Sequence, residues 1–181
     1  FKQKTAYEIM PRPVGSEMCI RDRTMTPKGK KAFKASKTSM NARYGLLSTQ
    51  WNKFVVDVML DNAEKELMSQ GVKSSNIVKI EVPGAYELPL AAKRMLEKDI
   101  DAVIALGAVI KGETPHFDFV SSSCANGLTR VSLDANKPVL FGVLTTETEE
   151  QAIQRADPKD GNKGAEVAQS AMELLEQFAS L

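Results

Sequence analysis

The run Gly107-Ala108-Val109-Ile110-Lys111-Gly112-Glu113-Thr114-Pro115-His116-Phe117-Asp118 gathers the densest set of groups able to do chemistry. An apolar stretch, Ala102 to Leu106, leads into it, and a helical pattern leads out from Phe117. Between them lie two glycines, a lysine, an acid and the only histidine in 181 residues. Imidazole is the side chain best suited to moving protons near neutral pH. Gly112-Glu113-Thr114, just ahead of a helix, offers backbone N–H groups that suit an anion. A solitary surface histidine is the plain alternative, and the company His116 keeps argues against it.

Other candidates stand at the ends of apolar runs. Trp51, the only tryptophan, offers a flat face for a heteroaromatic ring, or it staples the following helix. In Val82-Pro83-Gly84-Ala85-Tyr86-Glu87-Leu88-Pro89, Gly84 permits close backbone approach and Glu87 can accept hydrogen bonds from hydroxyls. Glu87 reads equally as a favourable charge at a helix N-terminus. Arg155 can hold a phosphate through two parallel hydrogen bonds, with Lys163 adding a point charge. A salt bridge would explain Arg155 as well. The loop Gly161-Asn162-Lys163-Gly164 lacks the spacing of a nucleotide-binding loop. Cys19 and Cys124 are far apart and make no metal spacing. No serine or cysteine pairs visibly with His116 and a carboxylate. These residue types predict cofactor-free, metal-free chemistry on a phosphorylated small molecule. A ligand-binding module without turnover remains open at this level.

Four strand-like runs must position these groups: Tyr44–Ser48, Ile77–Val82, Ala102–Leu106 and Pro138–Leu144. The last is a continuous apolar run of the kind buried on both faces. Helical spacing follows each: Phe54 to Leu67, closed by Gly71; Leu90 to Leu96, with Pro89 tolerable in its first turn; a helix carrying Val120, Cys124, Leu128 and Val131; then Glu147–Arg155, with Thr145-Thr146-Glu147 as its cap, and Lys163–Phe178. Alternation of strand and helix predicts an α/β three-layer sandwich, a four-stranded parallel sheet with right-handed crossovers and helices on both faces. The strand ends that carry the candidate residues then share one edge of the sheet, where open α/β folds bind ligands.

Of 24 basic and 23 acidic residues, ten basic and three acidic fall in residues 1–41, leaving 42–181 a net charge of −6. An acidic body argues against a nucleic-acid partner, and no apolar run is long enough to span a membrane. Two distant cysteines suggest no disulfide framework, which points to a reducing, cytoplasmic compartment. Residues 1–23 resemble translated sequencing-adapter sequence around Pro11-Arg12-Pro13-Val14-Gly15-Ser16, show no periodicity, and are expected to be a disordered artefact. Residues 24–41, with Lys28, Lys30, Lys31, Lys34 and Lys37, read as a basic flexible tail. Met25 and Met40 are both plausible starts. Residues 42–181 read as a single domain.

Four ordered motifs make the body resemble the lumazine synthase family over roughly residues 43–178. They are Val82–Pro89, Gly107–Asp118, Phe141-Gly142-Val143-Leu144-Thr145-Thr146-Glu147 and Gly161-Asn162-Lys163-Gly164. The resemblance implies a flavodoxin-like sheet and the condensation of 5-amino-6-(D-ribitylamino)uracil with 3,4-dihydroxy-2-butanone 4-phosphate, a step of riboflavin biosynthesis. It implies that Trp51, where many members carry phenylalanine, stacks on the pyrimidine. Ala85, Tyr86 and Glu87 match the segment binding the uracil and ribityl chain, and Ala108, Val109 and Ile110 the backbone reading the uracil edge. Glu113 and Thr114 match the phosphate loop, His116 the proton-transfer histidine, Phe141 a ring from the neighbouring subunit, and Arg155 the phosphate arginine, helped by Lys163. It further implies small-molecule substrates, no cofactor, and a homopentamer with the site at the subunit interface; a hollow icosahedral shell is permitted. A lumazine- or flavin-binding homologue and a mainly structural shell protein are the rival readings.

Overall fold

A computed structural model describes residues 33–181. The adapter-like string and the first half of the basic segment, residues 24–32, lie outside these residues. Its last part departs from the flexible tail expected. Lys37–Asn41 form a short helix, α1, capped by the Ser36 hydroxyl. Ala35, Ser39 and Ala42 are buried. Glu176 accepts from Ser36 N at 2.5 Å and from Ser39 Oγ at 2.6 Å, and Tyr44 Oη donates to Ser39 O at 2.8 Å. Small residues and a remote carboxylate, invisible to a charge count, dock this segment.

The body runs β1 (Tyr44–Thr49), α2 (Lys53–Ser69), β2 (Ile77–Val82), a 3-10 turn (Ala85–Glu87), α3 (Leu88–Leu96), β3 (Ala102–Ile110), α4 (His116–Ala135), β4 (Val139–Thr146), α5 (Glu149–Ala156) and α6 (Lys163–Ala179). All strand pairs are parallel, in the order β2-β1-β3-β4. The α/β sandwich with a flavodoxin-like sheet is therefore observed. Strand order reverses between β1 and β3, which places a topological switch point there.

Period-two alternation sorts the core. Tyr44, Leu46, Ala102, Ile104 and Leu106 face α2, α5 and α6, meeting Val56, Met59, Ala152, Ala168 and Met172. Leu47, Val103, Ala105 and Val143 face α3 and α4, meeting Leu88, Ala92, Cys124 and Leu128. Each such large side chain removed from water contributes about 2 kcal/mol before entropy is counted. Burial pushes the Cys124 thiol up to about 12, so it packs as an inert small hydrophobe. Gly71 takes φ +98° just after α2, as a helix-terminating glycine should. Pro89 sits in the first turn of α3, where its missing N–H costs nothing.

Three expectations change. β3 continues to Ile110, so Gly107 to Ile110 are strand and not loop. Helix α5 begins at Glu149, and its cap is Thr148, whose side chain accepts from Gln151 N; Thr146 Oγ1 instead donates to Thr148 O at 3.0 Å. β4 is not buried on both faces. It lies at the sheet edge, and Phe141 is 38 % exposed with Val139 and Leu140 only half-buried. An apolar edge strand gives the same sequence signal as a central one, because composition does not report who the neighbours are. Among the described residues no helix is long and apolar enough to cross a membrane.

Candidate active site

A cavity of about 580 Å³ opens at the C-terminal edge of the sheet, lined by Trp51 and Asn52 after β1, Gly84 to Glu87 after β2, Ala108 to Ile110 of β3, and His116 and Val120 of α4. That size falls within the range of small-molecule sites. It surrounds the switch point, because β1 stops at Thr49 while β3 runs on. The β1–β3 pairing ends at Ser48 and Leu106, whereas β3 stays paired with β4 to Ile110.

The turn after β1 is cross-linked on three sides. Gln50 N donates to Val82 O at 2.9 Å and Trp51 N to Pro83 O at 3.3 Å. Asn52 adopts a left-handed conformation, φ 56° and ψ 41°, and its backbone oxygen accepts from Val55 N and Val56 N. Its side-chain Nδ2 donates to Ala108 O at 2.8 Å. The turn holds Trp51 out to solvent, 72 % exposed, and Tyr86, which lines the same cavity, is 63 % exposed. Large aromatics this open at a cavity mouth mark a contact surface and not a core. The staple reading of Trp51 fails on this exposure.

Gly84 has extended backbone, φ −150° and ψ −177°, so it is not required for its torsion. Its role is room. A Cβ there would stand 3.4 Å from Trp51 Cδ1 and 3.2 Å from Glu87 Oε2. Trp51 and Glu87 thus close on the same bare Cα. Glu87 is exposed at the start of α3 and makes no side-chain capping bond. Its carboxylate faces the cavity with its acceptor capacity unspent among the described residues.

His116 is the first residue of α4, a helix of 20 residues, and its imidazole makes no hydrogen bond among the described residues. It is exposed and lines the same cavity as the turn of Trp51. The alternation of β3 assigns the backbone edge. Val103 N bonds Pro138 O and Lys111 N bonds Thr146 O, so odd residues turn their polar groups to β4. Ala102 N bonds Arg43 O, so Ala108 and Ile110 turn theirs to the β1 side, the cavity.

Glu113 and Thr114 lie in the exposed loop between Ile110 and His116, at the rim, and do not line the cavity. That loop is tied to β4 by Lys111, whose Nζ lies 3.0 Å from Glu147 Oε1 and 2.9 Å from Oε2. The Glu147 carboxylate holds the exposed Lys111 ammonium above the ordinary lysine range. A similar pair joins the start of α2 to β2. Lys53 Nζ meets Glu81 Oε1 at 2.5 Å, raising the lysine and lowering the carboxylate. Gly112 needs no special torsion, and a Cβ there would meet nothing within 4 Å.

Three expected residues stand apart from the cavity. Phe141 pairs in register with Ala105, three residues short of Ala108, toward the N-terminal end of the sheet. Arg155 lies in the last turn of α5, with the 157–162 loop folded onto its backbone. Lys163 starts α6 and bonds Glu166 at 2.9 Å. Sequence reasoning missed Asn52 and Val120. The signal for Asn52 was present: asparagine is among the few residues that enter the left-handed region readily. Among the described residues no three His, Cys, Asp or Glu side chains are placed to hold a metal ion. Across the body, residues 41–179 match the family described as 6,7-dimethyl-8-ribityllumazine synthase.

Proposed function

Because the chain belongs to the 6,7-dimethyl-8-ribityllumazine synthase family, we propose that it condenses 5-amino-6-(D-ribitylamino)uracil with 3,4-dihydroxy-2-butanone 4-phosphate. The products are 6,7-dimethyl-8-ribityllumazine, phosphate and two waters, as in the penultimate step of riboflavin biosynthesis. The observation that carries this reading is the single cavity that joins Trp51, Glu87, the end of β3 and His116.

In this proposal the pyrimidine stacks on Trp51 and meets the β1-side backbone edge of Ala108 and Ile110, with Val109, whose polar groups turn to β4, held between them. The ribityl hydroxyls donate to Glu87, beside Ala85 and Tyr86. The phosphate sits on the loop of Glu113 and Thr114. The pyrimidine amine attacks the ketone carbonyl, and loss of water leaves an imine. Phosphate is eliminated, the second amine closes the ring, and a second water leaves. Each step moves protons, and His116 is the group at hand to carry them. Phosphate is a good leaving group, and no cofactor is invoked. Holding the two substrates together supplies a large share of the rate.

Phe141, Arg155 and Lys163 lie away from their own chain's cavity, so their part in the reaction requires a second copy. We assign them to the neighbouring subunit of a homo-oligomer, a pentamer in the proposal, with Arg155 closing on the phosphate. Lys163 must leave Glu166 to assist it. A metabolic reaction and a buried free thiol at Cys124 suit the cytoplasm.

Mixing the two substrates with the protein and following lumazine absorbance tests the proposal. Formation of the lumazine well above the uncatalysed rate is the expected outcome. Binding of the lumazine without formation would make the protein a carrier, and neither would overturn the assignment.

A further inference from the structure

The register of β1 against β3 has a consequence at Asn52. Paired strands in this register run Ser48 opposite Leu106. One more turn of the same ladder would send the Trp51 N–H to Ala108 O. That bond is not made. Trp51 N turns the other way, to Pro83 O, and Asn52 Nδ2 supplies the donor to Ala108 O at 2.8 Å in its place. The left-handed backbone of Asn52 is what allows this exchange, since it reverses the chain within one residue. A side chain therefore replaces a main-chain ladder bond at the point where the sheet splits open.

We propose that Asn52 is a positioning residue for the pyrimidine subsite: it holds the β1–β3 crevice open at a fixed width, so that the Trp51 ring and the Ile110 backbone edge engage opposite sides of one planar heterocycle. This deepens the proposed function and rests on it. Without the amide, two arrangements compete. β1 extends to recover its ladder bond and draws Trp51 into the sheet, or Ala108 O loses its donor and the end of β3 drifts toward β4. Either one separates platform from edge. Glycine preserves the left-handed backbone but lacks the donor. Alanine lacks the donor and resists the backbone torsion as well. Aspartate tolerates the torsion but, while ionised, sets an acceptor against an acceptor.

The test is steady-state kinetics of Asn52→Gly, Asn52→Ala and Asn52→Asp in the full chain, with each substrate varied in turn. Asn52→Gly should raise KM for the pyrimidine about tenfold, the size of one lost bond plus some misalignment, and leave KM for the butanone phosphate within about twofold. Asn52→Ala should raise it further. Relative to the unaltered protein at each pH, the Asn52→Asp defect should shrink as pH falls through the carboxylate range, because a protonated carboxyl donates again. A merely structural role predicts a lower melting temperature with both KM values moved together and no pH signature. The single tryptophan gives a second readout: quenching of Trp51 fluorescence by the pyrimidine should need about tenfold more ligand in Asn52→Gly. An unaltered protein that makes lumazine, beside an Asn52→Gly variant of unchanged pyrimidine KM, overturns this proposal alone. An unaltered protein that makes none overturns the functional reading and this one with it.

Discussion

In the proposed mechanism His116 carries the most specific burden of any single side chain. It has no intramolecular hydrogen bond among the described residues and stands exposed where it lines the cavity, so no group of its own chain competes for its protons. General acid–base groups contribute about 100-fold or more in closed sites. If proximity supplies much of the rate, as the proposed mechanism has it, His116→Ala should lower kcat by about tenfold to a hundredfold and leave both KM values within a few-fold. Stopped-flow absorbance of lumazine formation measures it, and unchanged turnover would remove the histidine from the mechanism. His116 was readable from sequence because a strand-loop-helix junction carries its own pattern. The bond from Asn52 to Ala108 was not, because it joins residues 56 positions apart.

At the level of elements, the site depends on helices holding the sheet's edges still. α2 carries the turn of Trp51 at its start, and α6 packs against α2 at Gly164. A Cβ at Gly164 would lie 2.1 Å from Met59 O, a backbone atom that cannot yield cheaply. Gly164→Ala should therefore push the two helices apart and cost about 2–3 kcal/mol, the usual range for overpacking. Chemical denaturation should show the loss with the slope unchanged. Sequence showed this glycine only as part of a loop motif; its steric reason belongs to a neighbouring helix.

α1 responds to pH for a different reason. Burial alone would push the Glu176 carboxyl up, but hydrogen bonds from Ser39 and Ser36 outweigh it and hold it below the ordinary glutamate range. A depressed folded value means the docking contribution is whole above the ordinary glutamate pKa and is lost as pH falls through the lowered one. Amide hydrogen-exchange protection in residues 33–42, taken relative to the intrinsic rate at each pH, should thus fall in acid ahead of the sheet. Glu176→Gln should abolish that early step, and an acid response that survives the substitution would assign it elsewhere.

For the whole molecule, the distribution of exposed apolar side chains decides most. Trp51, Phe119, Leu133, Phe141 and Ile153 are all more than a third exposed, on several elements at once. Apolar exposure on this scale suits contact between copies, as does an edge strand with an apolar outer border. A site shared between subunits makes a sharp prediction. His116→Ala and Arg155→Ala should each be impaired alone, the second chiefly in KM for the butanone phosphate. Assembled together at random, about a quarter of the shared sites would hold both natural residues, and activity should rise accordingly. No gain over the two parents would show that Arg155 serves its own chain.

Alternating apolar runs and helical spacing were enough to specify a parallel α/β sheet and the strand ends that border its cavity, while Ala85, Tyr86 and Ala108 to Ile110 were singled out by the family resemblance. Local periodicity encodes elements, and the candidate residues sit at element ends where the chain must turn. Only the folded chain decided that β4 is an edge, that Trp51 faces outward, that the basic segment ends in a docked helix, and that Arg155 and Phe141 stand away from their own cavity. Those outcomes depend on which distant residues become neighbours, and hydrogen bonds and steric contacts act across space regardless of separation along the chain.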